Sequence, residues 1–463
     1  MAVMAGVDMS MVPFDFSFYD HCVNLANKDN KFKERVNDAV LRILRVKKLL
    51  GILEHSSNIY PDAKDLQLIG TEESEMIALD ASRESIVLAK NSNSDLPLAK
   101  SSNILVVGPT GNLLKVLNGG WSYTWQGNNE TYFQTFSKTK YNTIYEAIKS
   151  HTTGNVAFMQ GVDFESYDNE KIKNTAEQAK LYDLVVLCVG EDTYTETPGN
   201  IGNLMLSDSQ LLLADSIINT GKKVILVYVG GRPRTITNIV KRVNAVVIAF
   251  LPGNRGGDAI ADVIFGDYNP NGRLPITYPK TPNGAMTYDY KPLENWETWL
   301  GEDVASYFDA LFPFGHGLSY TNFEYSELKL DQATVLESSS ITGSVKVKNT
   351  GNRPGKETVI VYLNDEFGSL SRPIKQMKFF KKLSLNPNQQ ETVTFEITRY
   401  DMSFINLKNE RIVESGKFNV YIDNLKTSFE LIAKASSNTS NSFYYSPNRF
   451  FVFVFGLLIN LFF

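Results

Sequence analysis

At 463 residues the chain is long enough for about two to four domains with separate cores. A hydrophobic share of 43%, a charged share of 21% and an aromatic share of 12% describe a globular protein rather than a disordered or fibrous one. The net charge of −5 supplies no basic field for nucleic acid, while two cysteines, Cys22 and Cys188, and four scattered histidines give neither a disulfide framework nor a His-based metal site.

Residues 1–7 predict a strand buried on both faces, with Asp8 at its carboxyl end, where the catalytic groups of parallel barrels sit. Residues 1–12 have no basic start and carry Asp8 in their middle, so they do not read as a cleavable signal peptide. Residues 31–50 predict a helix, because Phe32, Val36, Val40, Ile43, Leu44, Val46, Leu49 and Leu50 recur largely at intervals of three and four. Gly51 is placed to stop it, and Arg35, Arg42, Arg45, Lys47 and Lys48 fall largely off the stripe as a solvated face.

From about 76 to 280, apolar runs alternate with amphipathic stretches. Strands are predicted over 104–107, 155–159, 184–189, 224–229 and 245–251, and helices over 143–150, 170–181, 208–218 and 256–265. That alternation is the pattern of a layered α/β domain with a mostly parallel sheet. Asn269-Pro270-Asn271-Gly272 and Thr281-Pro282-Asn283-Gly284 then break it. Beyond Tyr320 the spacing changes to short alternating strands, at 341–348, 358–363, 391–397 and 417–422, which suits an all-β sandwich. The domains expected are 1–55, 56–290 and 326–433, with a linker at 291–325 and a tail at 434–463.

The tail ends in a nearly unbroken apolar run of 14 residues, 450–463, behind Arg449 and a polar stretch. As helix it would rise about 21 Å, short of the roughly 30 Å hydrocarbon core. Small residues at Ala435-Ser436-Ser437-Asn438, a polar spacer and an apolar end have the layout of a lipid-anchor signal; a short tail anchor and an error of gene structure are the alternatives. Asn129-Glu130-Thr131 and Asn438-Thr439-Ser440 are glycosylation sequons consistent with export.

Chemistry concentrates in two loops. Gly190-Glu191-Asp192-Thr193-Tyr194-Thr195-Glu196-Thr197-Pro198-Gly199-Asn200 hangs from the carboxyl end of the strand at 184–189, the edge that lines ligand crevices in open α/β sheets. Each of its carboxylates taken alone is an ordinary solvated loop charge. Gly119-Gly120-Trp121-Ser122-Tyr123-Thr124-Trp125-Gln126-Gly127 puts two indoles in a glycine-rich loop, suited to stacking on a sugar face, with packing over a strand end as the bland reading. A nucleotide site at Ile104-Leu105-Val106-Val107-Gly108-Pro109-Thr110-Gly111 is set aside, because the full dinucleotide spacing is missing.

The string Gly-Glu-x-x-Tyr-Thr-Glu-Thr at 190–197 resembles the acid/base loop of plant-type exo-glucan hydrolases in glycoside hydrolase family 3. Gly-Gly-Trp-x-x-x-Trp-Gln-Gly at 119–127, Phe-Pro-Phe-Gly-His-Gly at 312–317 and Lys348-Asn349-Thr350-Gly351 are similar to other landmarks of the family, the last to its fibronectin type III-like domain. The resemblance implies Glu196 as general acid/base, with Glu191, nearer the strand end, as the alternative. It implies Trp121 and Trp125 as substrate-binding walls, and His316 as part of a rigid connector. The segment around Asp8 resembles the family's last barrel strand, so Asp8 is expected to be structural. The family's nucleophile is an Asp in a Ser-Asp-Trp type motif, which does not occur in this sequence.

The implied fold is a truncated (β/α)8 barrel remnant, an α/β sandwich domain with a mostly parallel sheet and a fibronectin type III-like β-sandwich. The implied function is retaining β-glucosidase action on terminal β-D-glucosyl residues of a β-glucoside or β-glucan oligosaccharide. It needs no metal or organic cofactor and involves no nucleic acid. The implied setting is the secretory pathway, at the cell surface through the tail, outside the cell or in a lysosome. A catalytically inactive, surface-anchored carbohydrate-binding or adhesive remnant is the alternative.

Overall fold

Why the chain folds as it does is clearest in its central strands, which carry almost nothing but Val, Leu, Ile and Ala. The computed structural model describes residues 1–53, 62–135, 141–284, 287–291 and 310–432. Its contacts divide it into two compact units, Met1–Glu75 and Met76–Phe463.

The first unit holds α1 (Ser17–Lys28) and α2 (Asn30–Leu49). Asp29 starts α2 by accepting hydrogen bonds from the N–H groups of Lys31 and Phe32, so two otherwise orphaned donors are satisfied. Of the apolar stripe only Phe32 is buried, and Val40, Leu44, Val46, Leu49 and Leu50 are exposed. The strand expected at 1–7 does not form: these residues make turns and are mostly exposed. A strand needs a neighbour to receive its N–H and C=O groups, and among the described residues none pairs with this segment. On the expected solvated face of α2, Arg42, Arg45, Lys47 and Lys48 are exposed and Arg35 is half-buried. Arg35 and Arg42 hold Asp8 at 2.6 Å each, and Arg42 also pairs with Asp38, so Asp8 ties the leading segment to α2. Hydrogen bonds from Arg42 and Arg35 hold the Asp8 carboxyl well below the usual range.

The second unit begins within α3 (Glu72–Ser85), which leads into a six-stranded sheet in the order β1-β6-β5-β4-β2-β3. The strands are β1 (Val87–Asn91), β2 (Ile104–Val107), β3 (Val156–Met159), β4 (Leu184–Gly190), β5 (Lys223–Val229) and β6 (Ala245–Phe250). All of their pairings are parallel except β1 with β6. Every residue of β4 is buried, as expected for a parallel strand covered on both faces. One face packs under the helices Gly256–Phe265 and Ile144–His151, with Ile225, Val227 and Val247 in that core. The other lies under the helices Asp208–Ile218 and Asn169–Ala179, with Leu187, Leu226 and Ile248 inside.

Strand β1 was not expected from the sequence. Its edge is closed by residues far along the chain: the N–H of Leu318 donates to the carbonyl of Leu88 at 2.8 Å, and Nε2 of His316 donates to that of Ala89 at 2.7 Å. Burial lowers the His316 pKa and Phe312 stacks on its ring at 5.0 Å, a structural setting. Residues 310–320, which fall in the expected linker, therefore pack on the α/β layer.

The β-sandwich pairs a five-stranded sheet with a three-stranded one. The strand Ile341–Asn349 alternates buried and less buried residues, the period-2 pattern of a sheet with one core face. Val345, Val361, Phe395, Phe418 and Phe429 fill the space between the sheets. The strands Phe323–Leu330, Gln376–Leu385 and Leu425–Ile432 extend the set expected from the sequence. Glu84 of α3 pairs with Lys356 and Lys382, and Arg273 pairs with Glu357, joining the sandwich to the α/β layer. Among the described residues no helix is long and apolar enough to cross a membrane. The tail at 434–463 and Asn438 lie outside the described residues.

Candidate active site at the carboxyl edge of the sheet

The strand order fixes where a ligand crevice must lie. From β2 the chain moves outward to β3 and then returns to β4 on the other side of β2, so the loops leaving β2 and β4 diverge. Such a switch point opens a crevice beyond the carboxyl ends of the strands. A cavity of about 320 Å³ occupies this place, lined by Gly119, Gly120 and Trp121 after β2 and by 191–196 after β4, with Gly230, Gly231 and Leu251 closing it.

The two loops fit together because Gly120 has no side chain. A Cβ there would lie 1.8 Å from Oγ1 of Thr195 and 2.4 Å from the carbonyl of Tyr194. The amide of Gln126 clamps the same junction in both directions, donating to the carbonyl of Thr195 at 3.3 Å and accepting from its N–H at 3.2 Å. Lys115 secures a second point by pairing with Asp192 at 2.7 Å. Gly190 lets the loop turn out of the strand, since it has φ +155 and a Cβ there would meet the carbonyl oxygen of Val229 at 1.7 Å.

Two glutamates line the cavity in opposite settings. Glu191 is buried, and its Oε1 accepts from Nε of both Arg232 and Arg234 at 2.7 Å, while its Oε2 accepts from the Arg232 N–H at 3.1 Å. Both carboxylate oxygens of Glu191 are thus engaged by arginine donors, in charge-assisted hydrogen bonds that fix the side chain in place. Glu196 is exposed, and among the described residues its carboxylate has no hydrogen-bond or ion-pair partner. Its backbone sits at φ 53, ψ −141, at the start of a short turn over Thr197–Gly199. A non-glycine residue in that region costs about 1–3 kcal/mol and persists only where its surroundings fix it. Arg232 supplies part of that restraint: its guanidinium lies 3.7 Å from the centroid of the Tyr194 ring and donates to the carbonyl of Gly199. Burial, then the Glu191 charge, push the Tyr194 phenol above its ordinary range, so it remains a neutral donor near neutral pH.

Trp121 lines the cavity and is 71% exposed, which removes packing over a strand end as its role. Trp125 is half exposed and does not line the cavity; its carbonyl accepts the N–H of Trp121 at 2.9 Å, so it shapes the loop that presents Trp121. Asn129 is exposed, as a glycan acceptor requires. Asp8 belongs to the other unit. Gln126, Arg232 and Arg234 escaped the sequence reading. The string Gly230-Gly231-Arg232-Pro233-Arg234 leaves β5 at the same sheet edge, and that placement was the signal available for the two arginines.

His151, Asp262 and Asp267 bring potential ligand atoms within 4.8 Å of one another. The cluster does not line the cavity, and its carboxylates already balance Arg83 at 2.7 Å and Lys100 at 2.6 Å. A metal ion there would compete with two fixed cations.

The family model for the glycosyl hydrolase family 3 C-terminal domain matches residues 86–320, and that for a fibronectin type III-like domain matches 357–425. The chain is 34% identical over 440 residues to a lysosomal beta glucosidase of Dictyostelium discoideum, covering 91% of this chain and 52% of that protein. It is 31% identical over 450 residues to a beta-xylosidase of Formosa agariphila, covering 92% of this chain and 60% of the relative. Among solved structures, a mutant beta-glucosidase from Listeria innocua in complex with laminaribiose superposes with a TM-score of 0.83 at 26% identity, over 93% of this chain and 59% of that one. The chain thus spans about half to three-fifths of the length of the proteins it matches. Through an α/β layer that fits the family's C-terminal domain and a β-sandwich that fits its fibronectin type III-like domain, the chain belongs to glycosyl hydrolase family 3.

Proposed function

We propose that the chain supplies the acid/base side of a retaining β-glucosidase, with Glu196 giving a proton to the departing glycosidic oxygen and then taking one from the attacking water. The observation that carries this reading is the contrast within one cavity: Glu196 is uncommitted among the described residues beside Trp121, whereas Glu191 is bound by two arginines. Retaining hydrolysis requires a second carboxylate about 5 Å away as nucleophile. The sequence resemblance puts that group in a (β/α)8 barrel, of which residues 1–55 are read as the last part. Trp121 would stack on the sugar or aglycone next to the cleaved bond, and Trp125 would hold it there.

The names of the relatives support a terminal β-glucosyl or β-xylosyl substrate, and the Listeria complex favours a β-linked glucan fragment. Export, N-glycans at Asn129 and Asn438, and anchoring through 434–463 belong to the same proposal; the matched Dictyostelium protein is named as lysosomal.

The test joins this chain to a family barrel and compares Glu196→Ala with the parent. Loss of a positioned acid should slow turnover by about 10²–10⁴-fold on a glucoside with a poor leaving group. Azide should restore turnover of an activated aryl glucoside. Full activity in Glu196→Ala, with loss in Glu191→Ala, would transfer the role to Glu191. If the joined parent binds β-glucan but never hydrolyses it, the binding-remnant reading replaces this one.

A further inference from the structure

Resting on the assignment of Glu196 as acid/base, we propose that Arg232 is a positioning residue that holds the Glu196 loop in place against the cavity. One side chain meets the loop at three points. Its Nε reaches Glu191 at 2.7 Å, at the start of the loop. Its guanidinium carbon lies over Tyr194, 3.7 Å from the ring centroid. Its terminal nitrogen donates to the carbonyl of Gly199, beyond Glu196. Glu196 therefore lies between two segments fixed by the same guanidinium.

Arg232 is itself anchored. The hydroxyl of the fully buried Tyr228 donates to its carbonyl, and its N–H donates to Oε2 of Glu191 at 3.1 Å. The contacts of Arg234 differ: they go to Glu191 at 2.7 Å and to the carbonyls of Met205 and Asn203 at 3.0 and 3.4 Å, so they secure only the start of the loop. A lysine at 232 could answer the Glu191 charge, but an ammonium cannot also stack flat on Tyr194 and reach Gly199, because those contacts need the planar fork. Loosening at 194–199 would move the Glu196 carboxyl relative to the leaving oxygen. Proton donation then suffers while sugar binding is spared, because the acid matters most when the leaving group is a poor one.

The test has two readouts. Amide hydrogen exchange on the chain itself compares the parent with Arg232→Lys and with Tyr194→Leu, which removes the stacking surface but leaves the Glu191 pair. Both variants should exchange about tenfold faster or more across 194–199, while the peptides of β4 and β5 keep their protection. In the barrel-joined enzyme, Arg232→Lys should lower kcat on laminaribiose by about 10²-fold, as expected for a misplaced acid, with KM little changed. In kcat/KM, which reports bond breaking and excludes the later attack of water, a dinitrophenyl glucoside, whose leaving group needs no proton, should lose several-fold less than laminaribiose.

Unchanged exchange across 194–199 would overturn the proposal. So would equal losses of kcat/KM on both substrates, the mark of a general structural defect. If Glu196→Ala itself shows no dependence on the leaving group, the acid/base assignment fails instead, and the exchange measurement still decides whether Arg232 holds the loop.

Discussion

Removing Glu191 should damage the fold, and removing Glu196 should not. The Glu191 side chain is only 4% exposed, and the two arginines that face it are 23% and 15% exposed. Glu191→Ala leaves two guanidinium groups without their anion at the mouth of the cavity. Breaking a buried ion pair costs about 3–5 kcal/mol, and the partial exposure of the arginines places this one near the lower end, at about 3 kcal/mol. For a domain of the size matched at 86–320, each kcal/mol shifts the melting temperature by roughly 2–4 °C, so the expected fall is roughly 6–12 °C. Glu191→Gln keeps the shape but loses the charge, and should fall between the parent and Glu191→Ala. Glu196→Ala removes an exposed group with no partner among the described residues, and should stay within about 0.5 kcal/mol of the parent. Differential scanning calorimetry on the chain reads both, with the α/β transition followed separately from that of the sandwich, since two domains need not melt together. A shift below about 2 °C in Glu191→Ala, or an equal fall in Glu196→Ala, would refute this division of labour.

A pH dependence follows from His151, whose two ring nitrogens face the carbonyl of Ala147 at 2.8 Å and the carboxylate of Asp262 at 3.0 Å, acceptors that require both to be protonated. The Asp262 hydrogen bond raises its pKa over the opposition of burial. A raised histidine contributes its full stabilisation below the unfolded value of about 6.5 and loses it as pH rises through the folded value. The parent should therefore lose stability on going from about pH 6 to about pH 9 by more than His151→Ala does, as read by urea unfolding at each pH; parallel curves would sink the argument. For export, the peptide carrying Asn129 from the eukaryotically expressed chain should change mass on enzymatic deglycosylation. An unmodified Asn129 in secreted material would count against the glycosylation assignment.

Hydrophobic runs made the central sheet legible: the strand expected at 104–107 and the helices expected at 208–218 and 256–265 form over the same residues. Each of these elements buries a continuous face, so local composition and final environment agree. Residues 1–7 failed for the opposite reason, since an apolar run specifies a strand only when another strand accepts its hydrogen bonds. Strand β1 was missed because its five residues end in Lys90 and Asn91 and its partners come from 245–248 and 316–318, which no local window includes. In the cavity, the loop and its carboxylates could be read from the sequence. The difference between Glu191 and Glu196 could not, because it depends on arginines 41 and 43 positions away in the chain.

Because β1 pairs with β6 and is closed on its other side by residues 316–318, the first strand of the layer is among the last to be housed. During synthesis, residues 87–91 must wait until the chain has passed Leu318, with an open edge available to other copies in the meantime. The delay is long in sequence, and non-local closure of this kind slows folding. It also gives a reason for the order of domains along the chain. The first strand of the sandwich begins at Phe323, just after the segment that seals β1, so every residue the α/β layer needs precedes the sandwich in the chain.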